Sequence, residues 1–376
     1  MTASDHARNA MRRRLSALLV CLAITGCSQA PREPSESADV PPPTAASDRA
    51  ERSQEVLDSL LSADEPGCTA AVGEEGRVVW QGVRGVADLK TAASITPETV
   101  VDIGSVSKQF TATALLLLVQ DGQLELSDRL ADHVDGLPGW SRQTTLEQLM
   151  HHTSGIPDYG RLLLDAGYEE SERTVQQDAL DALAAAPRLE FSPGAQWEYS
   201  NSNYLLLAEV IETVSGTTLS RFVAERVFKP LQLDMVIDPV GDVAHKAVSY
   251  RAANGSFSVY DSRWEQIGDG AIQTTPSELV RWADNYRTGE VGGEELLRAT
   301  LADAVDDTIG GGGGRYGAGI VEAPDGSLWH AGAFEGFRTE FWVSADRRLA
   351  VALACNASGQ SIDTEGMFQT LAGIWS

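Results

Sequence analysis

The chain has 376 residues, 43% of them hydrophobic and 22% charged, enough for a large core or for two lobes that share one. Its 29 basic and 54 acidic residues leave a formal charge of -25, which argues against nucleic acid and against electrostatic docking on anionic lipid. The acids are spread along the chain without a like-charged run, so a solvated acidic surface accounts for them.

At the N-terminus, Arg12-Arg13-Arg14, the apolar residues 15–24 and Thr25-Gly26-Cys27 form a basic start, a short hydrophobic segment and a small-residue cleavage point. The apolar segment is too short to span a bilayer comfortably. Its Ile24-Thr25-Gly26-Cys27 ending resembles a bacterial lipobox. The resemblance implies a lipoprotein signal peptide over 1–26 and a lipidated Cys27; an ordinary secretory signal is the alternative. Ser28, after the cysteine, resembles the outer-membrane sorting pattern. That resemblance implies a protein of the bacterial cell envelope, expected in the periplasm and attached to the outer membrane only through its lipid. Residues 27–53 contain Pro41-Pro42-Pro43 and no apolar periodicity, and read as a disordered tether. The folded body is expected over 54–376.

Within the body, residues 69–72 and 77–80 read as a hairpin around Gly73-Glu74-Glu75-Gly76. Residues 108–120, 145–151, 175–185, 204–214 and 219–227 carry helical spacing or helix-forming composition. Strand-like runs return at 328–331, 339–343 and 349–355, before a last helical segment over 364–375. Strands at both ends of a helical middle predict an α+β fold. The N- and C-terminal strands would meet in one antiparallel sheet flanked by helices, with a second, mainly helical lobe over about 120–245. A cleft between lobes is a common place for a site.

Four cysteines are present. Cys21 leaves with the signal and Cys27 takes the lipid, so Cys68 and Cys355 remain, in the first and last strand-like runs. They can form a disulfide if those strands are antiparallel neighbours. Neither has a His or Cys companion at metal-ligand spacing, and His151-His152 lacks any H-E-x-x-H context, so no metal is expected. Residues 310–314 read as a flexible connector. The run from Gly312 to Gly317 matches a dinucleotide-binding pattern, but no strand-then-helix context frames it, so no cofactor is expected.

The chemistry concentrates at three places. Ser105 and Lys108 lie three apart at the start of the segment 108–120. On a helix such positions share a face, about 5–6 Å apart at Cβ, so the amine can reach the hydroxyl. First-turn N–H groups favour negative charge there, and a serine becomes a nucleophile when a neighbouring base takes its proton. After the signal, lysine occurs only at 90, 108, 229 and 246, so this pairing at a helix start stands out from chance. Next, Tyr199-Ser200-Asn201 precedes the segment 204–214. A phenol near positive charge can pass a proton, and Asn201 can hold a substrate amide. Last, His330-Ala331-Gly332-Ala333 ends a predicted strand. Its small residues would let a substrate backbone lie along the strand edge, with the Ala333 N–H facing the reacting carbonyl. Taken singly, each has a plain structural alternative: a capping serine, a loop aromatic, a strand-end turn.

Together, Ser105/Lys108, Tyr199/Asn201 and His330/Gly332 resemble the three signature elements of the serine β-lactamase and penicillin-binding-protein superfamily. They are most similar to the branch containing class C β-lactamases, serine D-Ala-D-Ala carboxypeptidases and related esterases. The stretches 103–110, 151–159 and 329–332 agree, and the resemblance runs from about 66 to 375. It implies a β-lactamase-like fold and a serine hydrolase that cleaves an ester or amide through an acyl-enzyme on Ser105. Lys108 and Tyr199 would move the proton, either of them as the proximal base. The Ser105 and Ala333 N–H groups would form an oxyanion hole, where one donor is worth about 2.7–4 kcal/mol. Asn201, His330, Gly332 and Ala333 would bind the substrate, a small molecule or a peptide such as a peptidoglycan stem peptide. A histidine at 330, where many relatives carry lysine, is mostly neutral at pH 7, which shifts weight from β-lactamase toward peptidase or esterase. The non-enzyme alternative is a catalytically silent envelope binding protein; the presence of Ser105, Lys108 and Tyr199 speaks against it.

Overall fold

In the computed structural model, which describes residues 45–261, 263–307, 313–359 and 362–376, the first element is a helix, α1 (Ala45–Leu60). The expected signal peptide, Cys27 and most of the tether lie outside the described residues, as does most of the connector 310–314. The tether boundary near 53 is corrected: residues 45–53 are already helical, and Ser53 is fully buried. The Trp375 indole donates to Ser53 Oγ at 2.8 Å, and the Arg49 guanidinium lies over the same indole. Among the described side chains of this helix only Leu57, with Leu61 just after it, is a buried apolar residue, too sparse a stripe to show as periodicity.

The large sheet has eight strands, numbered here in chain order: β1 (Cys68–Glu74), β2 (Arg77–Arg84), β3 (Val305–Asp306), β4 (Arg315–Tyr316), β5 (Val321–Glu322), β6 (Leu328–Phe334), β7 (Phe337–Val343) and β8 (Leu349–Cys355). Its spatial order is β3-β4-β5-β6-β7-β8-β1-β2, antiparallel throughout. The expected meeting of first and last strands is therefore observed. Cys68 stands directly opposite Cys355, and the two form a disulfide. Alternation along the strands sends Ala70, Val72, Val351 and Leu353 to one face, under α1 and the last helix, α11 (Thr364–Trp375). Ala71, Ala352 and Ala354 face the other side, toward the larger helical core.

That core is organised around α2 (Lys108–Gln120), whose residues 108–118 are all buried. A helix apolar on every side belongs in the interior, and α6 (Asn201–Ser215), also largely buried, packs beside it. Around them lie α3 (Leu146–Met150), α4 (Tyr159–Asp165), α5 (Gln176–Ala185) and α7 (Leu219–Val223). The helical middle is as expected, except that α4 lies where no helix was expected from the sequence. Three later helices, α8 (Pro276–Ala283), α9 (Asn285–Thr288) and α10 (Gly293–Leu301), were not among the helical segments expected from the sequence. Of these, α8 covers the sheet face opposite α1 and α11.

Candidate active site

Ser105 sits in a 3-10 turn, Gly104–Ser107, that runs directly into α2. The sequence pointed to the first turn of an α-helix; the tighter turn is the correction, and it helps. With three residues per turn, positions i and i+3 eclipse, so Lys108 Nζ lies 3.1 Å from Ser105 Oγ. The turn is pressed against β6. Gly104 has φ +52, and a Cβ there would lie 2.7 Å from the Ala333 nitrogen. A Cβ on Gly332 would overlap the Ile103 carbonyl oxygen. Two glycines at this crossing let the nucleophile turn and the strand end touch backbone to backbone.

Lys108 is fully buried, and its amine contacts Asn201 Oδ1 and the Asp269 carbonyl oxygen, each at 2.8 Å. Burial lowers its pKa to about 8, against the opposing pull of Asp269 and Asp158. The Tyr199 ring lies 4.8 Å from Lys108 Nζ. Burial pushes the phenol well above its ordinary value, with Ser105 the neighbour that most favours ionisation. Its hydroxyl is shielded from solvent and makes no hydrogen bond of normal geometry. Hydroxyl 105, amine 108 and phenol 199 therefore do converge.

A cavity of about 700 Å³ opens over Ser105 and is lined by Asn201, Asp269, Ala333, Tyr159 and Trp264, among others. Asn201 starts α6, with its N–H donating to Asp158 Oδ2 at 2.8 Å. Because Oδ1 accepts from Lys108, this side chain has its Nδ2 donors and one remaining Oδ1 lone pair for a ligand.

His330 and Gly332 are corrections. Neither lines the cavity. His330 is buried behind it, with Nδ1 2.7 Å from the Ala331 carbonyl and Nε2 3.1 Å from the Tyr316 hydroxyl. A carbonyl only accepts, so the proton belongs on Nδ1 and Nε2 accepts from Tyr316. Burial, then Lys108, lowers the His330 pKa to about 4, so the ring is neutral. Its effect reaches the site through packing: Tyr316 and His152 pack against the Tyr199 ring. His152 is buried, and its Nδ1 accepts from the Ser200 N–H and lies 3.0 Å from Asn203 Nδ2. Gly332 serves the close crossing described above. Strand alternation turned these two inward, which local composition does not reveal.

The sequence reading passed over Asp158, Tyr159, Trp264 and Asp269, all at the cavity wall. Asp158 caps α4, accepting from the Gly160 N–H at 2.9 Å. Tyr159 Oη donates to Asp269 Oδ2 at 3.1 Å. The signal for Asp269 was its setting in Gly268-Asp269-Gly270, where flanking glycines let a backbone carbonyl approach another chain. Among the described residues, no group of three His, Cys, Asp or Glu side chains could hold a metal ion.

A family model described as Beta-lactamase matches residues 50–372. A D-aminopeptidase of Brucella anthropi is 29% identical over 317 residues, 82% of this chain and 59% of that protein. Another D-aminopeptidase from Brucella anthropi is 30% identical over 303 residues, 78% of this chain and 56% of its own length. The chain thus spans a little over half the length of these relatives. Among solved structures, D-amino acid amidase from Ochrobactrum anthropi SV3 complexed with D-phenylalanine has a TM-score of 0.74 at 21% identity, covering 87% of this chain and 99% of that one. The octameric penicillin-binding protein homologue from Pyrococcus abyssi has a TM-score of 0.75 at 21% identity, covering 87% and 76%. These two likenesses bear on the fold.

Proposed function

The chain belongs to the beta-lactamase family, and from that premise we propose that it is a serine amidase whose acyl half is a D-amino acid. The observation that carries the chemistry is a buried amine 3.1 Å from a serine hydroxyl, with its pKa lowered to about 8. A lysine near its neutral form can take the Ser105 proton as Oγ bonds to the carbonyl carbon. Tyr199, held protonated by burial, is the complementary donor. The carbonyl oxygen becomes an anion between the Ser105 and Ala333 N–H groups. The C–N bond then breaks, the departing amine takes a proton from the Lys108–Tyr199 pair, and water releases the acyl group by the same route. The D-aminopeptidase relatives support the D-amino acyl choice.

Carboxypeptidase action is a second reading, favoured by one observation. Arg338 stands across from Ala333 on β7 and lines the same cavity, where a guanidinium could seat a leaving-group carboxylate. Purified protein should hydrolyse D-phenylalanine p-nitroanilide faster than its L-isomer, and take a fluorophosphonate label that Ser105→Ala abolishes. Release of D-alanine from a D-Ala-D-Ala peptide, without p-nitroanilide turnover, would replace the first reading with the second. Failure of Ser105 to label would remove both.

We also propose that the enzyme is a lipid-anchored envelope protein, with Cys27 the modified residue. The Cys68–Cys355 disulfide supports an oxidising compartment. Cys27→Ala is expected to abolish palmitate incorporation and move the protein from the outer-membrane fraction to a soluble one; unchanged fractionation would sink the anchor.

A further inference from the structure

Two carboxylates lie at the helical side of the cavity, and they differ in how their oxygens are used. Asp158 is occupied at both: Oδ1 accepts from the Gly160 N–H at 2.9 Å and Oδ2 from the Asn201 N–H at 2.8 Å. Asp269 is not. Oδ2 receives the Tyr159 phenol at 3.1 Å, and Oδ1, shielded from solvent, has no hydrogen-bond partner. An ionised carboxylate offers about four acceptor sites, and shielded polar groups are rarely left unfilled.

The charge balance around Asp269 is equally incomplete. Lys108 is the cation that most favours its ionised form, while burial and Asp158 oppose it. Yet Lys108 must be neutral to take the Ser105 proton. In that state Asp269 and Asp158 face the cavity without a counterion from the base. Arg161 and Arg251, also at this wall, are paired with Glu190 and Glu170. A cation that arrives with the substrate would complete the site.

Position narrows which cation. Lys108 Nζ touches both Ser105 Oγ and the Asp269 carbonyl, so the Asp269 backbone is one amine away from the nucleophile. An α-amino group is two covalent bonds from the carbonyl carbon that Ser105 attacks, a matching reach. Resting on the amidase reading above, we infer that Asp269 receives the α-ammonium group of the substrate's acyl half. The site then selects amides with an unblocked α-amine over des-amino or N-acylated analogues.

The test compares D-phenylalanine p-nitroanilide with its des-amino analogue, 3-phenylpropanoyl p-nitroanilide, in the full chain and in Asp269→Asn. The wild-type enzyme is expected to favour the amine by about tenfold or more in kcat/KM, the scale of one charge-assisted contact. Asp269→Asn should erase most of that preference while changing the des-amino rate only a few-fold. Because both substrates use the same Lys108, whose pKa the Asp269 charge raises, an effect of Asp269 on the base alone would change both rates by the same factor, leave the preference intact and overturn the inference. Wild-type indifference to the amine would overturn it too, without needing the variant, and would leave the acyl-enzyme standing. Turnover of neither amide would overturn the amidase reading itself, and this inference with it.

Discussion

Lys108→Met is expected to lower kcat/KM by about 10³–10⁴-fold, at the upper end of what a positioned general base contributes. The substitution keeps the apolar stem at a fully buried position, but removes the amine that contacts Ser105, Asn201 and Asp269. The accompanying pH profile makes the assignment specific. With a pKa of about 8, the amine is protonated below and neutral above that value, and only the neutral form can accept the hydroxyl proton. At pH 7 about one molecule in ten carries the competent base, so wild-type kcat/KM on the des-amino substrate, which has no titrating amine of its own, should climb roughly tenfold as pH rises through 8 and then level off. Tyr199 contributes no rising limb in this range, because burial holds it protonated. In Lys108→Met the limb near 8 should vanish along with the rate. A variant that keeps the limb at reduced amplitude would reassign the titrating base to another group.

Gly332→Ala is expected to cost about 100-fold in kcat, with a smaller change in KM and a loss of about 1–3 kcal/mol in stability. The added methyl would overlap the Ile103 carbonyl oxygen and lie 3.3 Å from Val106 Cγ2. The obstacle is backbone, so no side chain can rotate away. The turn that carries Ser105 must back off from β6, and the Ser105 and Ala333 N–H groups separate. An oxyanion hole misplaced by about 1 Å loses transition-state contacts before ground-state ones. Steady-state kinetics together with thermal unfolding check this. A variant with a raised KM and an intact kcat would restore Gly332 to the substrate-binding role that the sequence suggested.

The His330 comparison shows where sequence reasoning reached its limit. Composition at 330–333 marked a strand end near the site, and β6 does end beside Ser105. Which residues of that strand meet substrate depends on pleat direction, and that is set by pairing with β7 and β5. Ala333 borders the cavity and His330 turns to the interior as a consequence. Short elements were lost for a related reason. β3, β4 and β5 have two residues each, too few to display alternation. By contrast, α8 carried a legible start in Thr275-Pro276, with Thr275 capping the Glu278 N–H, and was simply passed over.

What the sequence determined by itself was local: Ser105 and Lys108 three residues apart before an apolar helix, strand-like runs at the two ends, and a cysteine in each. Helical geometry acts between near neighbours, so such spacing survives translation into three dimensions almost unchanged. The surroundings that favour the amine over the phenol as the proposed base are visible only in the tertiary structure. They depend on burial, and on Asn201 and Asp269, which reach Lys108 from 93 and 161 residues away. The same long-range packing leaves one carboxylate oxygen of Asp269 without a hydrogen-bond partner. Desolvation and charge balance are properties of everything that surrounds a group, and a linear order of residues does not state its surroundings.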